Sequence, residues 1–348
     1  MMRSHAGSLP LTACYPIART FCTWLGVLLL ALLAVRAQAQ SLAPLRSGAL
    51  PSLHTGASVQ YVAVLAGRPL AIADGEVWRL DRSGKTWVRQ SLPADTPPIV
   101  GIVGNGTQVW LLTSAPGTHE TTGVARLDAS DDQLRLQPLP PFPAPLRDAH
   151  GAWANDILSI VGLGADGKPC VLQLQTNVPQ PRWSVLAGWP GNGAPSSVVA
   201  RAGALLVSVP DADRSTERLW RRAADGWSER GVMPGRLLPG SGHALGQANA
   251  LYLVVDGTRA DAPVRLMTFQ TITSAWATLP GAAPANVIAA GAWTDGVFWA
   301  QRSTDAARVN FGYASVQTTK LLLRWLDWAV ISIYLVAMIG IGLHFYLR

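Results

Sequence analysis

Cysteine is nearly absent from the chain, with three in 348 residues. Cys14 and Cys22 fall within the first 39 residues, leaving Cys170 alone in the remainder. No intramolecular disulfide is then available after processing, and the fold must stand on packing. Charge is also sparse: 14% of residues are charged against 49% apolar, which excludes a disordered, highly charged tail. The net charge of +7 misleads, because Arg3, Arg19 and Arg36 lie in a leader without Asp or Glu, leaving 25 basic against 21 acidic residues elsewhere, a surplus of +4. With no cluster of Lys and Arg, no nucleic-acid partner is expected. Metal chemistry lacks its ligands: His5, His54, His119, His150, His243 and His344 form no pair at ligand spacing and have no Cys partner, so no metal or other cofactor is expected. Ser-His-Asp and Cys-His nucleophile patterns, P-loops and dinucleotide-binding glycine motifs are missing. The glycines from Gly101 to Gly106 read as a hairpin turn around Asn105-Gly106.

The two ends are membrane sequence. Residues 1–39 combine a basic leader, an apolar run from Phe21 to Val35 and small residues at Ala37 and Ala39, the order of a secretory signal cleaved before Gln40. Arg36 inside the cleavage region keeps an uncleaved signal anchor open as the alternative. No Cys follows the apolar run, which argues against a lipoprotein, and there is no twin-Arg pair. At the other end, residues 321–348 are expected to form a transmembrane helix. Leu326 to Leu347 is apolar except for Asp327, Ser332 and His344, long enough to span the ~30 Å hydrocarbon layer. Trp325, Trp328 and Tyr334 lie toward one end and Phe345 and Tyr346 at the other, where interfacial aromatic belts belong.

Residues 40–320 hold short apolar, β-branched or aromatic runs separated by Gly, Pro, Asn and Asp, with no helical periodicity, and read as all-β. Leu80-Asp81 through Trp87, then Leu92-Pro93, returns 47 residues later as Leu127-Asp128 through Leu134, then Leu139-Pro140. Looser copies place Trp183, Trp227 and Trp276 before Trp189-Pro190, Met233-Pro234 and Leu279-Pro280. The steps of 47, 49, 44 and 49 residues fit four-stranded propeller blades. Six apolar hairpins precede these strands: Leu70–Leu80, Val109–Leu127, Ile157–Leu174, Leu205–Trp220, Leu251–Phe269 and Val297–Phe311. Only five Trp-type strands follow them. The sixth is expected at the start, where Leu45-Arg46 and Leu50-Pro51 match Trp87-Val88 and Leu92-Pro93, so the N-terminal strand closes a six-bladed propeller and protects its edges. The repeated Trp positions are read as packing between blades rather than as a ligand site, and Leu134 at one of them fits that reading.

The Trp-to-Leu-Pro strand at this period, with its closing N-terminal strand, resembles kelch-type propellers, in particular the six-bladed sialic acid mutarotase (N-acetylneuraminate epimerase) group. The Gly-Gly pair of kelch units is replaced here by Ala73-Asp74-Gly75, Gly162-Leu163-Gly164 and Val255-Asp256-Gly257. The Tyr–Cys crosslink and histidine ligands that copper-radical oxidases with such blades require find no counterpart. The run from Leu326 to Leu343, with Asp327, Tyr334 and Gly340-Ile341-Gly342, resembles the first transmembrane helix of the sodium:solute symporter family, some members of which carry a propeller ahead of the transporter. A symporter needs many more helices to build its midplane sites, so transport by this chain alone is not expected. A split or truncated symporter and a stand-alone anchored propeller both stay open. The resemblance implies an inner-membrane, single-pass protein with a periplasmic propeller. Lys320 and Arg324 then lie outside and only Arg348 inside, against the usual excess of cytoplasmic positive charge.

Loops leading from one blade's outer strand into the next blade's inner strand line one face of a propeller's channel. Here they carry His54, Arg147, Asp148, His150, His243 and Asn286 as candidate ligand-binding residues. An Arg fork holds a carboxylate and His or Asp moves a proton for ring opening, the chemistry of a sialic acid mutarotase. Three function readings follow. The first is a non-catalytic recognition domain binding an acidic sugar or a membrane partner such as a transporter, the second a mutarotase or epimerase, and the third a structural interaction module or truncated gene product.

Overall fold

Period-two apolar alternation and turn residues every few positions produce strands almost throughout. The computed structural model describes residues 45–130, 133–201, 203–246, 248–255, 264–280, 284–316 and 325–347. Residues 1–39, where a secretory signal is expected, and Asp256-Gly257, Lys320, Arg324 and Arg348 lie outside the described residues. The closing strand is β1 (Leu45–His54). The first blade is β2 (Val59–Leu65), β3 (Arg68–Ala73), β4 (Glu76–Leu80) and β5 (Trp87–Gln90). The second is β6 (Ile99–Gly104), β7 (Val109–Ser114), β8 (Thr121–Ser130) and β9 (Gln133–Pro138). The third is β10 (Arg147–Ala154), β11 (Ile157–Leu163), β12 (Pro169–Gln175) and β13 (Trp183–Ala187). The fourth is β14 (Ser197–Arg201), β15 (Ala204–Pro210), β16 (Glu217–Ala223) and β17 (Gly226–Met233). In the fifth the inner strand is broken into β18 (Arg236–Leu237) and β19 (His243–Leu245), followed by β20 (Asn249–Val255), β21 (Val264–Gln270) and β22 (Ala275–Thr278). The sixth is β23 (Val287–Trp293), β24 (Gly296–Arg302) and β25 (Arg308–Val316).

Every sheet is antiparallel, and β1 pairs with β25 from Leu45↔Val316 to His54↔Arg308 to supply the sixth blade's outer strand. The six-bladed propeller and its N-terminal closure are therefore as the repeat arithmetic anticipates. All six hairpins fall where the sequence places them.

The core is divided among the blade interfaces. One buried cluster joins the sixth blade to the first through Phe298, Phe311, Val62 and Trp87, and five others join each further pair of neighbours. The outer-strand indoles act at these seams. Trp87 is 7% exposed, its ring 4.5 Å from Phe311, and its Nε1 donates to the Pro51 carbonyl at 2.7 Å. Trp183 Nε1 donates to Pro140 O at 2.7 Å and Trp227 Nε1 to Ala187 O at 2.9 Å. The Leu-Pro that follows one blade's outer strand thus receives the next blade's indole at the first and third blades, which explains why the two landmarks recur together. Each such contact combines an aromatic burial with a hydrogen bond worth about 1 kcal/mol.

Glycines let the inner strands meet backbone to backbone. A Cβ on Gly291 of β23 would lie 2.1 Å from Val62 O on β2, and one on Gly151 of β10 2.3 Å from Val103 Cγ2 on β6. Because the first obstacle is backbone, G291A is expected to cost about 3 kcal/mol through overpacking, measured as a lower midpoint in urea. G151A meets a movable side chain and is expected to lose less; equal losses would contradict this account.

The C-terminal run forms α1 (Trp325–Tyr346). From Trp328 to Tyr346 it is long and apolar enough to cross a membrane. Its exposed apolar residues, among them Ile333, Val336, Met338 and Ile341, surround the helix instead of forming the single stripe of a helix packed on a core.

Candidate functional site

One seam differs from the rest. Among the described residues, five of the ten buried polar side chains, Ser196, Ser197, Ser208, Glu217 and Ser241, lie at the fourth and fifth blades. Glu217, 1% exposed, is the one carboxylate among them. It begins β16 in phase with buried Leu219, so strand alternation turns a charged side chain toward the neighbouring blade. There its Oε1 accepts from the Leu237 backbone N–H of β18 at 2.7 Å, and its Oε2 accepts a very short hydrogen bond from Ser196 Oγ. Burial raises its pKa above the ordinary carboxylate value, while the Ser196 and Leu237 donors and the nearby Arg236 guanidinium oppose that rise.

The fifth blade makes room for this arrangement. Register against β20 runs Leu237↔Val254 and then His243↔Leu251, so Leu238–Gly242 bulges out of the inner strand. Ser241 repairs the gap: its hydroxyl donates to Leu238 O at 2.7 Å and accepts from Leu253 N at 3.1 Å. Gly242 lets the bulge press on the fourth blade, since a Cβ there would come within 2.3 Å of Ser197 Oγ. Tyr252, wholly buried beside it, has its phenol pKa raised, first by burial and then by Glu217, with Ser208 opposing. Bulges of this kind commonly re-aim groups beside functional sites.

Above Glu217 lies a cleft of about 630 Å³ bordered by the β13–β14 loop, the β15–β16 hairpin, β18 and the bulge. Its polar lining is Asn192, Ser196, Asp211, Arg214, Glu217 and Arg236. Arg218 is not one of these groups: it is tied to Asp211 at 3.2 Å and Glu229 at 3.1 Å. Arg236 is half-buried and Arg214 exposed. The arrangement offers guanidinium donors for an anion, acceptors for hydroxyls, and a carboxyl with a raised pKa able to hold or release a proton. Among the described residues no group of three or more His, Cys, Asp and Glu is placed to hold a metal.

The six residues singled out from sequence lie at the strand ends of this same face, but are not gathered in one place. His54 is exposed at the end of outer strand β1, opposite Arg308. Arg147 opens β10, exposed, and reaches back to Gly164 O of its own blade at 3.5 Å. Asp148 takes a left-handed φ of 50° at a register shift between Arg147 and His150. Asn286, exposed with φ 53°, precedes β23 and accepts from Arg302 N at 2.9 Å through its backbone carbonyl. His150 and His243 sit on inner strands, half-buried. Burial lowers the pKa of each to about 4, with Asp148 and the Pro195 backbone resisting at His150. His150 thereby touches Pro195, the residue before Ser196.

Sequence reasoning did not single out Glu217, Ser196, Arg236 or the bulge. A signal existed for Glu217, a charge occupying the buried phase of Glu217-Arg218-Leu219-Trp220. The Pro-Gly-Ser-Gly of residues 239–242 likewise marks the break in the strand.

No protein-family model matches the chain, and no curated protein matches it. Among solved structures, one described as the structure of YjhT is similar, with 11% identity, a TM-score of 0.46, and coverage of 62% of this chain and 82% of that one. The six-bladed architecture described above rests on this chain's own strand pairings.

Proposed function

We propose that the protein is a membrane-anchored recognition propeller whose cleft between the fourth and fifth blades binds a small acidic ligand, a sugar acid being the favoured class. The observation that carries this reading is the convergence of Arg236, Arg214 and Asn192 over the buried Glu217–Ser196 pair. Guanidinium groups suit a carboxylate, and the remaining polar groups suit hydroxyls. In this reading α1 tethers the propeller to the periplasmic side of the inner membrane, beside a sodium-coupled transporter; the helix resemblance to sodium:solute symporters supports that placement. The test is ligand-observed NMR and calorimetry of the full chain in nanodiscs with N-acetylneuraminate and the corresponding neutral sugar. The acid is expected to bind, and Arg236→Ala to weaken it at least tenfold, about 1.4 kcal/mol. Equal binding of acid and neutral sugar, or an unchanged Arg236→Ala, would count against it.

A second reading, a mutarotase, is favoured by the raised pKa of Glu217, since anomer exchange needs a group that passes a proton to and from the ring oxygen and anomeric hydroxyl. Exchange NMR separates the two readings. Acceleration of anomer exchange that Glu217→Gln removes supports catalysis, and binding without acceleration supports recognition alone.

A further inference from the structure

We infer that the propeller rests on the lipid bilayer with the face opposite the cleft, where the turn between β21 and β22 sets Ile272 into the headgroup layer. The inference rests on the reading of α1 as a membrane tether and adds the orientation of what it holds. Strand direction fixes the two faces. Each inner strand runs away from the face that bears the cleft, so the opposite face carries the turns at Ala66-Gly67, Asn155-Asp156 and Thr294-Asp295. It also carries the turns that join third to fourth strands, such as 271–274. β25 runs from Arg308 toward that same face and ends at Val316, whose N–H donates to Asp295 O at 2.8 Å. Eight residues separate Val316 from Trp325, where α1 begins. Their nine Cα steps reach about 32 Å at full extension. Returning along the blade from Val316 to Arg308 would use about 26 Å of that, with the loops of the cleft face still to clear. A bilayer at the opposite face is reached directly.

The side chain that meets the lipid stands beside this exit. Val316 is buried at the seam of the fifth and sixth blades with Leu251 and Val297. On the fifth blade, the Thr271 N–H donates to Ala248 O at 2.8 Å, tying the 271–274 turn to the inner turn next to that seam. Ile272 follows and is 77% exposed, more than any other large apolar residue described outside α1. Its N–H donates to Gln270 Oε1 at 2.8 Å, so this backbone donor is satisfied without water. A single exposed isoleucine is ordinary on a surface bathed in water; this one stands on the face that the chain length brings to the membrane, where an apolar side chain gains by entering the interface. The cleft then opens away from the bilayer and receives its ligand from solution.

The test uses the full chain, with Cys14, Cys22 and Cys170 replaced by serine, in phosphatidylcholine nanodiscs with and without brominated acyl chains. One fluorescent label is placed through Ile272→Cys, through His119→Cys on the exposed β7–β8 turn of the cleft face, or through Ser332→Cys within α1. Quenching at position 332 reports the tether itself. Quenching at position 272 is expected to be about three times that at position 119, because only the former reaches the interface. Strong quenching at 332 with equal quenching at 272 and 119, or with more at 119, would overturn the orientation and leave the tether standing. No quenching at 332 would overturn both. Ile272→Trp in the otherwise native chain needs no label and no cysteine replacement: brominated lipid is expected to quench a larger share of its tryptophan emission than in the wild type, and an unchanged or smaller share counts against the proposal.

Discussion

Replacing Glu217 by alanine is expected to cost 3–5 kcal/mol of stability, the largest single-site loss anticipated in the propeller. The carboxylate satisfies the Leu237 N–H and the Ser196 hydroxyl simultaneously, and these groups belong to different blades. Its removal leaves the Leu237 N–H buried without a partner, costing about 1–3 kcal/mol, leaves the Ser196 hydroxyl with only its longer bond to Ser208 O at 3.2 Å, and opens a void. Glu217→Gln retains an acceptor for Leu237 N, and its amide can donate to a reoriented Ser196 hydroxyl, so a loss near 1 kcal/mol is expected. The variants also separate charge from hydrogen bonding. A carboxyl whose folded pKa is raised contributes fully below the unfolded value of about 4.5; its contribution declines as pH rises from there through the folded value. Glu217→Gln should abolish that decline, shifting the pH dependence while nearly preserving the fold. Urea unfolding of the three proteins at several pH values measures both effects. If alanine and glutamine prove equally harmful, the hydrogen bonds are not what Glu217 supplies.

The contrast between this seam and the other five shows what a sequence discloses. Six hairpins, their four-stranded grouping and the closing strand at Leu45 are legible because each depends on local apolar periodicity and on a landmark that recurs. The recurrence of Trp and Leu-Pro is legible as a repeat, and the structure supplies its reason: at the first and third blades the indole meets the preceding blade's Leu-Pro, as Trp87 Nε1 on Pro51 O and Trp183 Nε1 on Pro140 O demonstrate. The candidate site follows different rules. Topology alone puts His54, Arg147, Asp148 and Asn286 at one face, because that is where outer strands hand over to inner ones. It does not aim their side chains. Aim depends on local breaks in register, such as the left-handed Asp148 or the Leu238–Gly242 bulge, and no periodic pattern announces them. Glu217 shows the converse: its orientation follows from alternation with Leu219, while its partners, Ser196 and Leu237, lie about twenty residues away on either side and meet it only through the ring.

Acidification should destabilise the propeller before its exposed carboxylates respond, and the two inner-strand histidines are the expected cause. His150 and His243 have folded pKa values of about 4 because burial disfavours the charged ring, against about 6.5 in the unfolded chain. The unfolded state therefore binds more protons throughout that interval, and stability falls as pH drops from about 6.5, levelling off below about 4. The shift sets a ceiling of about 3 kcal/mol per histidine; solvent contact at half-buried rings reduces the expected loss to ~1–2 kcal/mol each. Glu217 works in the opposite sense, its protonated form being the one burial favours, so the experiment is cleanest in the Glu217→Gln background. Asp81, Asp166 and Asp213, held below the usual carboxylate range by their own loop hydrogen bonds, respond only at lower pH. Replacing His243 and His150 together with glutamine should flatten the slope between pH 6.5 and 4.5 while leaving stability at pH 7.5 within about 1–2 kcal/mol of wild type. A slope that survives the double replacement would place the acid sensitivity elsewhere in the ring. A flattened slope would establish that both imidazoles are neutral at pH 7, so that His150 meets the Pro195 backbone as a hydrogen-bonding group without a charge.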